Sequence, residues 1–195
     1  MSRIRIPAGV RLLGIAGAPG AGKSTFAAAV AAEHSGVVLP MDGFHLADAE
    51  LARRGLLDRK GAPETFDAEG YAALLARVRA GEEHVLAPAF DRTIEQPVAG
   101  SIPVPAGGLV VTEGNYLLVD EQRWREARAQ LDEVWHVRVD EAVRLERLVA
   151  RHVEFGKTPA EALAWVERVD QPNAALVEAA AERADRLLDL TDWVG

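Results

Sequence analysis

The sequence contains no cysteine among its 195 residues. This absence excludes disulfide bonds, catalytic thiolates and zinc sites built from cysteine. Any nucleophile or metal ligand must therefore come from hydroxyl, carboxylate, amine or imidazole groups. A chain without cysteine is also typical of the reducing cytoplasm, which is where we expect this protein to work.

Long hydrophobic runs are missing as well. The longest apolar stretches, such as residues 12–16 and 109–112, fall far short of the roughly 20 residues that a membrane helix needs. Residues 1–7 contain no apolar run of the kind that a signal peptide requires. We therefore expect a soluble protein with no membrane partner.

Positive charge is scarce in this chain. It has 22 Lys and Arg residues against 30 Asp and Glu residues, which gives a formal net charge of −8. A general nucleic-acid partner is therefore not expected, because such binding needs a basic face to neutralise phosphates. Any phosphate site in this acidic background has to be a local cluster of cations.

The hydrophobic residues that are present, 49% of the chain, suffice for the core of one domain. Short buried-type runs predict strands at residues 11–16, 37–39, 108–112, 133–139 and 184–190. Helices are predicted between them at residues 23–34, 47–57, 67–80, 140–155, 158–170 and 173–183, with a break forced by Pro172. This alternation indicates an α/β fold, a three-layer structure in which helices cover both faces of a parallel sheet. Residues 82–107 interrupt it with a small β excursion.

A glycine-rich motif directly follows the first predicted strand. Its eight residues match the pattern G-x-x-x-x-G-K-[ST] and are Gly17, Ala18, Pro19, Gly20, Ala21, Gly22, Lys23 and Ser24. Glycines let backbone N–H groups turn toward an anion at the positive end of the next helix. In such a loop Lys23 reaches the β- and γ-phosphates, Ser24 offers an oxygen to Mg²⁺, and Thr25 is placed for the α-phosphate. The motif predicts binding of ATP and Mg²⁺.

Further segments decide between the many classes of P-loop protein. They are 41–46 (MDGFHL), 59–67 (RKGAPETFD), 87–91 (APAFD) and 113–115 (EGN). Together they resemble the D-G-F, K-G-x-P-E-S-Y-D, A-P-x-Y and E-G segments of the uridine kinase, phosphoribulokinase and bacterial pantothenate kinase superfamily, especially its short nucleoside- or sugar-kinase-like members. The resemblance spans about residues 11–155. It implies a P-loop NTPase fold with a helical lid and transfer of the γ-phosphoryl group of Mg-ATP to a hydroxyl of a small metabolite.

The resemblance also implies roles for residues that follow predicted strands. Asp42 is expected to accept the proton of the acceptor hydroxyl, although on its own it could equally cap the helix that begins near Leu46. Glu113 is expected to hold Mg²⁺ through water or to contact the substrate, the alternative being a solvated carboxylate at a strand end. His45 either contacts substrate or packs nearby, and Asn115 is expected to line the same crevice.

Three basic residues outside the P-loop are candidates for the acceptor site. Arg59 and Lys60 lie in the matched K-G-x-P-E segment, and Arg92 lies in the β excursion. The resemblance implies that they bind the acceptor. An Arg-Lys pair in a loop is otherwise most often a surface feature.

A row of arginines marks the expected lid, residues 144–160. Arg144, Arg147 and Arg151 recur at i, i+3 and i+7 and therefore share one helix face. The alternative is a solvated basic stripe. If the segment is a lid, Arg147 and Arg151 close over the phosphates and neutralise charge in the transition state, and His152, Gly156 and Lys157 form its mobile tip and hinge.

The acceptor itself stays open among a nucleoside, a sugar and a pantothenate-like alcohol. Residues after 156 do not match the pantothenate-binding portion of the longer pantothenate kinases, which favours nucleosides and sugars. The turn that contains Asp170 and Asn173 either contacts a ligand or only reflects the expected helix break. A regulator that hydrolyses ATP without an acceptor is the rival class, and a homodimer is left open. We expect residues 1–195 to form a single P-loop kinase domain, with residues 82–107 near the acceptor.

Overall fold

The computed structural model describes residues 4–193. Its strands are β1 Leu12–Ala16, β2 Val37–Pro40, β3 Val85–Asp91, β4 Gln96–Val104, β5 Val110–Glu113, β6 Glu133–Arg138 and β7 Arg186–Asp189. Its α-helices are α1 Lys23–Glu33, α2 Asp48–Arg54, α3 Ala68–Ala80, α4 Gln122–Arg128, α5 Glu141–Glu154, α6 Pro159–Trp165 and α7 Gln171–Ala179. Short 3₁₀ turns occur at Met41–Phe44, Leu57–Arg59, Pro63–Thr65 and Ala181–Arg183, and a π-helical turn occurs at Val166–Asp170.

Five strands form one parallel sheet in the order β2-β5-β1-β6-β7. The central strand β1 is buried along its whole length because both of its faces are covered. On one face, side chains of α3, α4 and α7 such as Tyr71, Trp124 and Val177 fill the core. On the other face, α1 packs Phe26 and Val30 against the sheet. The predicted parallel sheet with helices on both faces is confirmed.

The carboxyl ends of the parallel strands lie at one edge of the sheet. The segments after β1, β2 and β5 are those that carry the P-loop, Asp42 and Asn115, so the fold brings the sequence motifs to a single edge. In open parallel sheets this is the edge where ligands bind.

A two-stranded antiparallel sheet, β3-β4, stands apart from the main sheet. It lies inside the predicted β excursion of residues 82–107. The hairpin packs against the 3₁₀ turn Met41–Phe44, and the approach is so close that a Cβ on Gly43 would overlap the backbone of Pro88. The hairpin therefore forms a wall beside the segment that carries Asp42.

Two parts of the helical prediction differ from the structure. Helix α4 was not predicted, because its seven residues are mostly charged and only Trp124 and Ala127 are buried. The expected break at Pro172 is wrong, since the chain stays helical from α6 through the π turn into α7. Proline is tolerated in the first turn of a helix, and the π turn shifts the backbone hydrogen bonds by one residue, with the Gln171 N–H bonded to the Val166 carbonyl.

Within residues 4–193, no helix combines the length and the apolar character that crossing a membrane would require.

Candidate active site

The glycine-rich loop joins β1 to α1 in a conformation that glycine alone tolerates. Gly20 has φ +82°, and a Cβ there would lie 2.8 Å from the Arg144 carbonyl oxygen. Gly22 ends the loop in the left-handed region as the N-cap of α1. The backbone can therefore turn tightly under α5 and present its amides at the N-terminus of α1.

Lys23 is buried at the start of α1, and its Nζ donates a hydrogen bond to the Ala18 carbonyl at 3.1 Å. Burial lowers the pKa of Lys23, and the negative charges of Glu113 and Asp42 oppose that effect. The ammonium group thus lies between the loop and two carboxylates, without a direct ion pair to either among the described residues. It is placed to exchange the Ala18 carbonyl for the oxygens of a phosphate.

Glu113 is the last residue of β5 and is buried. Its Oε1 accepts a hydrogen bond from the Ser24 hydroxyl at 3.1 Å. Burial and the nearby charge of Asp42 raise the pKa of Glu113, while Lys23 and Ser24 counteract them. The alternative of a solvated strand-end carboxylate is wrong for this residue.

Asp42 lies on the 3₁₀ turn after β2 and is half-buried. Its Oδ2 pairs with the Arg92 guanidinium at 2.7 Å. Burial alone would raise the pKa of Asp42, but the positive charges of His45, Arg92 and Lys23 outweigh it and lower the pKa. Asp42 does not cap α2, whose N-cap is Ala47 and has no side-chain hydrogen bond.

His45 combines a packing role with a place at the cavity. Its Nδ1 lies 2.8 Å from the Asp42 carbonyl oxygen, and its ring lies 4.0 Å from that of Phe66 and 4.7 Å from that of Phe90. Burial lowers the pKa of His45, against the opposing charge of Asp42. The ring is therefore fixed by neighbours on three sides.

A cavity of about 370 Å³ opens at this edge of the sheet. It is lined by residues that the sequence singled out, namely Pro19, Lys23, Ser24, Asp42, His45, Lys60, Arg92, Glu113, Asn115 and Arg151. The loop, the two carboxylates and several of the candidate acceptor residues thus share one space. Among the described residues, no cluster of three or more His, Asp or Glu side chains has the arrangement of a metal site.

Three of the arginines that the sequence singled out are not part of the cavity lining. Arg59 pairs with Glu64 at 2.6 Å, and its side chain is 58% exposed. Arg147 is exposed on α5 and points over the loop, where its Nη1 lies 3.5 Å from the position of a Cβ on Gly22. Arg144 is buried and donates hydrogen bonds to the Pro19 carbonyl, Glu141 and Gln171, so it ties the loop to α5 and α7.

The sequence reasoning missed most of the apolar lining of the cavity. The unpredicted apolar lining residues include Leu57, Phe66, Phe90, Phe155 and Trp165, and the acidic Glu95 was not predicted either. Aromatic residues are rare in this chain, which has only 11 Phe, Tyr and Trp residues, and four of them line this one cavity. Their positions span about a hundred residues of sequence, so no local pattern groups them. Asp170 and Asn173, which were left open, also line it.

Known proteins resemble this chain over most of its length. An Aspergillus versicolor protein named ATP-dependent kinase-like is 39% identical over 133 residues, which is 64% of this chain and 77% of that protein. A Schizosaccharomyces pombe protein named as a uridine kinase is 35% identical over 182 residues, which is 86% of this chain and 77% of that protein. This chain belongs to the uridine kinase family of P-loop kinases.

A solved structure supports the same assignment. The crystal structure of a protein described as a fructose transport system kinase, from Silicibacter sp. TM1040, superimposes on this P-loop kinase with a TM-score of 0.84. The two chains are 39% identical, and the match covers 93% of this chain and 91% of the other. No protein-family model matches the chain. The prediction of a small-molecule kinase is confirmed.

Proposed function

We propose that this kinase transfers the γ-phosphoryl group of Mg-ATP to a hydroxyl of a small metabolite, with a sugar or a nucleoside as acceptor. The observation that carries the proposal is that Lys23, Asp42 and the Ser24–Glu113 pair line the same cavity. Donor phosphate and acceptor hydroxyl can therefore meet in one enclosed space, as direct transfer requires.

The glycine-rich loop and Lys23 hold the triphosphate in this proposal. Backbone N–H groups at the start of α1 and the buried ammonium group supply fixed positive charge where the phosphates lie. Arg151, which also lines the cavity, adds a cation from α5. Arg147 reaches the loop from outside, so residues 144–160 can act as a lid that excludes water.

The Ser24–Glu113 pair fits a magnesium ion. Hydroxyl and carboxylate oxygens are the donors that Mg²⁺ prefers, and it usually keeps several waters beside one or two protein ligands. A buried carboxylate whose pKa is raised is a group that a nearby cation would stabilise in its charged form. When bound there, the ion would neutralise charge on the β- and γ-phosphate oxygens.

Asp42 orients the acceptor hydroxyl and accepts its proton. The contact with Arg92 fixes one carboxylate oxygen, and the charges of His45 and Arg92 lower the pKa of Asp42, which favours its ionised form. The other oxygen is then available to the acceptor. Because the transition state of phosphoryl transfer is loose, positioning of the hydroxyl is the main contribution expected of this residue.

A coupled ADP-release screen over sugars, nucleosides and vitamin precursors tests the proposal, with the Lys23→Ala protein as blank. We expect ADP release by the wild type to rise with at least one acceptor, and the Lys23→Ala protein to show no turnover, because the γ-phosphate loses its buried cation. ADP release that no acceptor stimulates would favour the rival, an ATPase or regulator without a small-molecule acceptor.

A further inference from the structure

Asp170 has an unusual place in the cavity. It ends the π-helical turn Val166–Asp170, directly before α7, and its side chain is only 10% exposed. Isolated π turns in helices often occur at functional sites, because they reposition a side chain that a regular helix would aim elsewhere. The turn directs Asp170 to the cavity, where it is part of the lining.

The hydrogen bonding of Asp170 is incomplete. Its Oδ2 lies 2.8 Å from Nε2 of His152 on α5, and this is its only hydrogen-bond partner among residues 4–193. A carboxylate has about four acceptor positions, and a buried polar group without partners is costly. The second oxygen therefore remains available to a hydrogen-bond donor that enters the cavity.

Asn173 extends this acceptor surface along α7. It lies three residues after Asp170, lines the same cavity and is buried. Its Nδ2 donates to the Gly61 carbonyl at 3.3 Å, which fixes the amide and leaves the carboxamide oxygen as a further acceptor. Two neighbouring acceptors of this kind match the donors of adjacent hydroxyl groups.

The cations on the acceptor side are already engaged. Lys60 donates to Asp48 at 2.7 Å and to the Glu95 carbonyl at 2.6 Å. Arg92 pairs with Asp42 at 2.7 Å. The other two lining cations outside the P-loop, Arg151 and Lys157, belong to the proposed lid, and Lys157 lies over the ring of Trp165 at 4.9 Å. Little free positive charge is left for an anionic group on the acceptor.

We propose that Asp170, positioned by His152 and supported by Asn173, binds a hydroxyl of the acceptor and selects neutral polyhydroxylated rings over anionic molecules. The aromatic rings of Phe66, Phe90 and Trp165 supply flat apolar walls for such a ring, and the carboxylate of Asp170 repels a phosphate or carboxylate group placed beside it. This inference rests on the proposed function, since it assigns the acceptor class at that same site.

The test compares matched acceptors on the wild type and on an Asp170→Asn protein. Each neutral acceptor is paired with an anionic counterpart, such as ribose with ribose 5-phosphate and glucose with glucuronate. We expect the wild type to use only the neutral member of each pair. In the Asp170→Asn protein the KM for the best neutral acceptor should rise about 10- to 100-fold, the usual loss for a hydrogen bond to a charged group, with the KM for ATP unchanged.

Two further variants separate recognition from structure. Glu167→Gln removes an exposed acid from the same π turn and should leave both KM values unchanged. His152→Asn replaces the imidazole that contacts Asp170 and leaves the negative charge of Asp170 in place. The His152→Asn protein should therefore still discriminate against anionic acceptors. The Asp170→Asn protein, which lacks that charge, should lose part of this discrimination. Identical behaviour of these two variants would show that the pair only holds α5 in place and would overturn the inference.

The outcomes also separate this inference from the proposed function. Wild-type turnover of anionic acceptors as good as that of their neutral counterparts would overturn the role of Asp170 and leave the kinase reaction intact. Failure of every acceptor to stimulate the wild type would overturn the proposed function, and the inference would fall with it.

Discussion

Both the 3₁₀ turn Met41–Phe44 and an ion pair with Arg92 fix the position of Asp42 in the cavity. Arg92, which comes from the turn of the β3-β4 hairpin, reaches across to it at 2.7 Å. Two segments separated by 50 residues therefore meet at the proposed transfer site. The hairpin thus does more than interrupt the alternation of strands and helices, since it supplies Arg92, one of the cations, after His45, that lower the pKa of Asp42.

Replacing Asp42 by Asn removes the charge but keeps the shape of the side chain. We expect kcat to fall by a factor on the order of 10²–10⁴, because the acceptor hydroxyl loses its proton acceptor and its orientation. ATP affinity should stay within a small factor of the wild type, since the loop and Lys23 are untouched. Steady-state kinetics and a nucleotide-binding titration measure the two effects.

Asp120→Asn is the matched control for that substitution. Asp120 is an exposed aspartate that pairs with Arg183 at 2.6 Å, away from the cavity, and an exposed ion pair of this kind contributes little to stability. Its kinetics should match those of the wild type. Near-normal turnover in the Asp42→Asn protein would rule out Asp42 as the group that orients the acceptor.

At this same scale, the sequence predicted the polar residues of the site better than its apolar ones. Lys23, Asp42 and Glu113 each follow a predicted strand, so their convergence on one edge could be derived from the fold class. Phe66 and Trp165 carry no such positional signal. Their place depends on tertiary packing of the segment before α3 and of the end of α6, which a single sequence does not specify.

At the scale of elements, strands and helices with a strong local sequence pattern were predicted correctly, whereas those with a weak pattern were missed. The first strand and α1 were predicted almost to the residue because a buried run, a glycine-rich loop and an Ala-rich helix follow one another. Helix α4 lacks that contrast, as most of its residues are charged. Pro172 was read as a helix breaker, but the π turn before it makes a place where proline fits.

Helix α3 offers a stability test that is independent of catalysis. The side chain of Asp67 accepts a hydrogen bond from the Gly70 N–H at 2.9 Å and caps the helix, whose buried face includes Tyr71 and Leu75. We expect Asp67→Ala to lower the free energy of unfolding by about 0.5–2 kcal/mol, the usual cost of losing such a cap. Urea denaturation, with an unchanged m-value, measures the loss.

Asp67→Asn is the control, because an asparagine oxygen can accept the same hydrogen bond. It should keep most of the stability that Asp67→Ala loses. Equal stability of the wild type and the Asp67→Ala protein would mean that the cap is not formed in solution.

At the scale of the whole molecule, one cavity of this acidic chain brings together five of its 22 Lys and Arg residues. The chain carries a net charge of −8, yet Lys23, Arg151, Lys60, Arg92 and Lys157 all line one cavity. Within it, Lys23 and Arg151 lie on the proposed phosphate side, while Lys60 and Arg92 pair with neighbouring acceptors. The proposed division between a phosphate side and an acceptor side is what a transfer reaction needs and what simple hydrolysis does not require.

Following the γ-phosphate of labelled ATP tests this account most directly. The wild type is incubated with Mg²⁺, γ-labelled ATP and the acceptor that stimulates ADP release most strongly, and the products are separated. We predict that the label appears on the acceptor in proportion to the ADP formed, and that it does so neither with Asp42→Asn nor with Lys23→Ala at a comparable rate. Label released only as inorganic phosphate, whatever acceptor is present, would contradict the account.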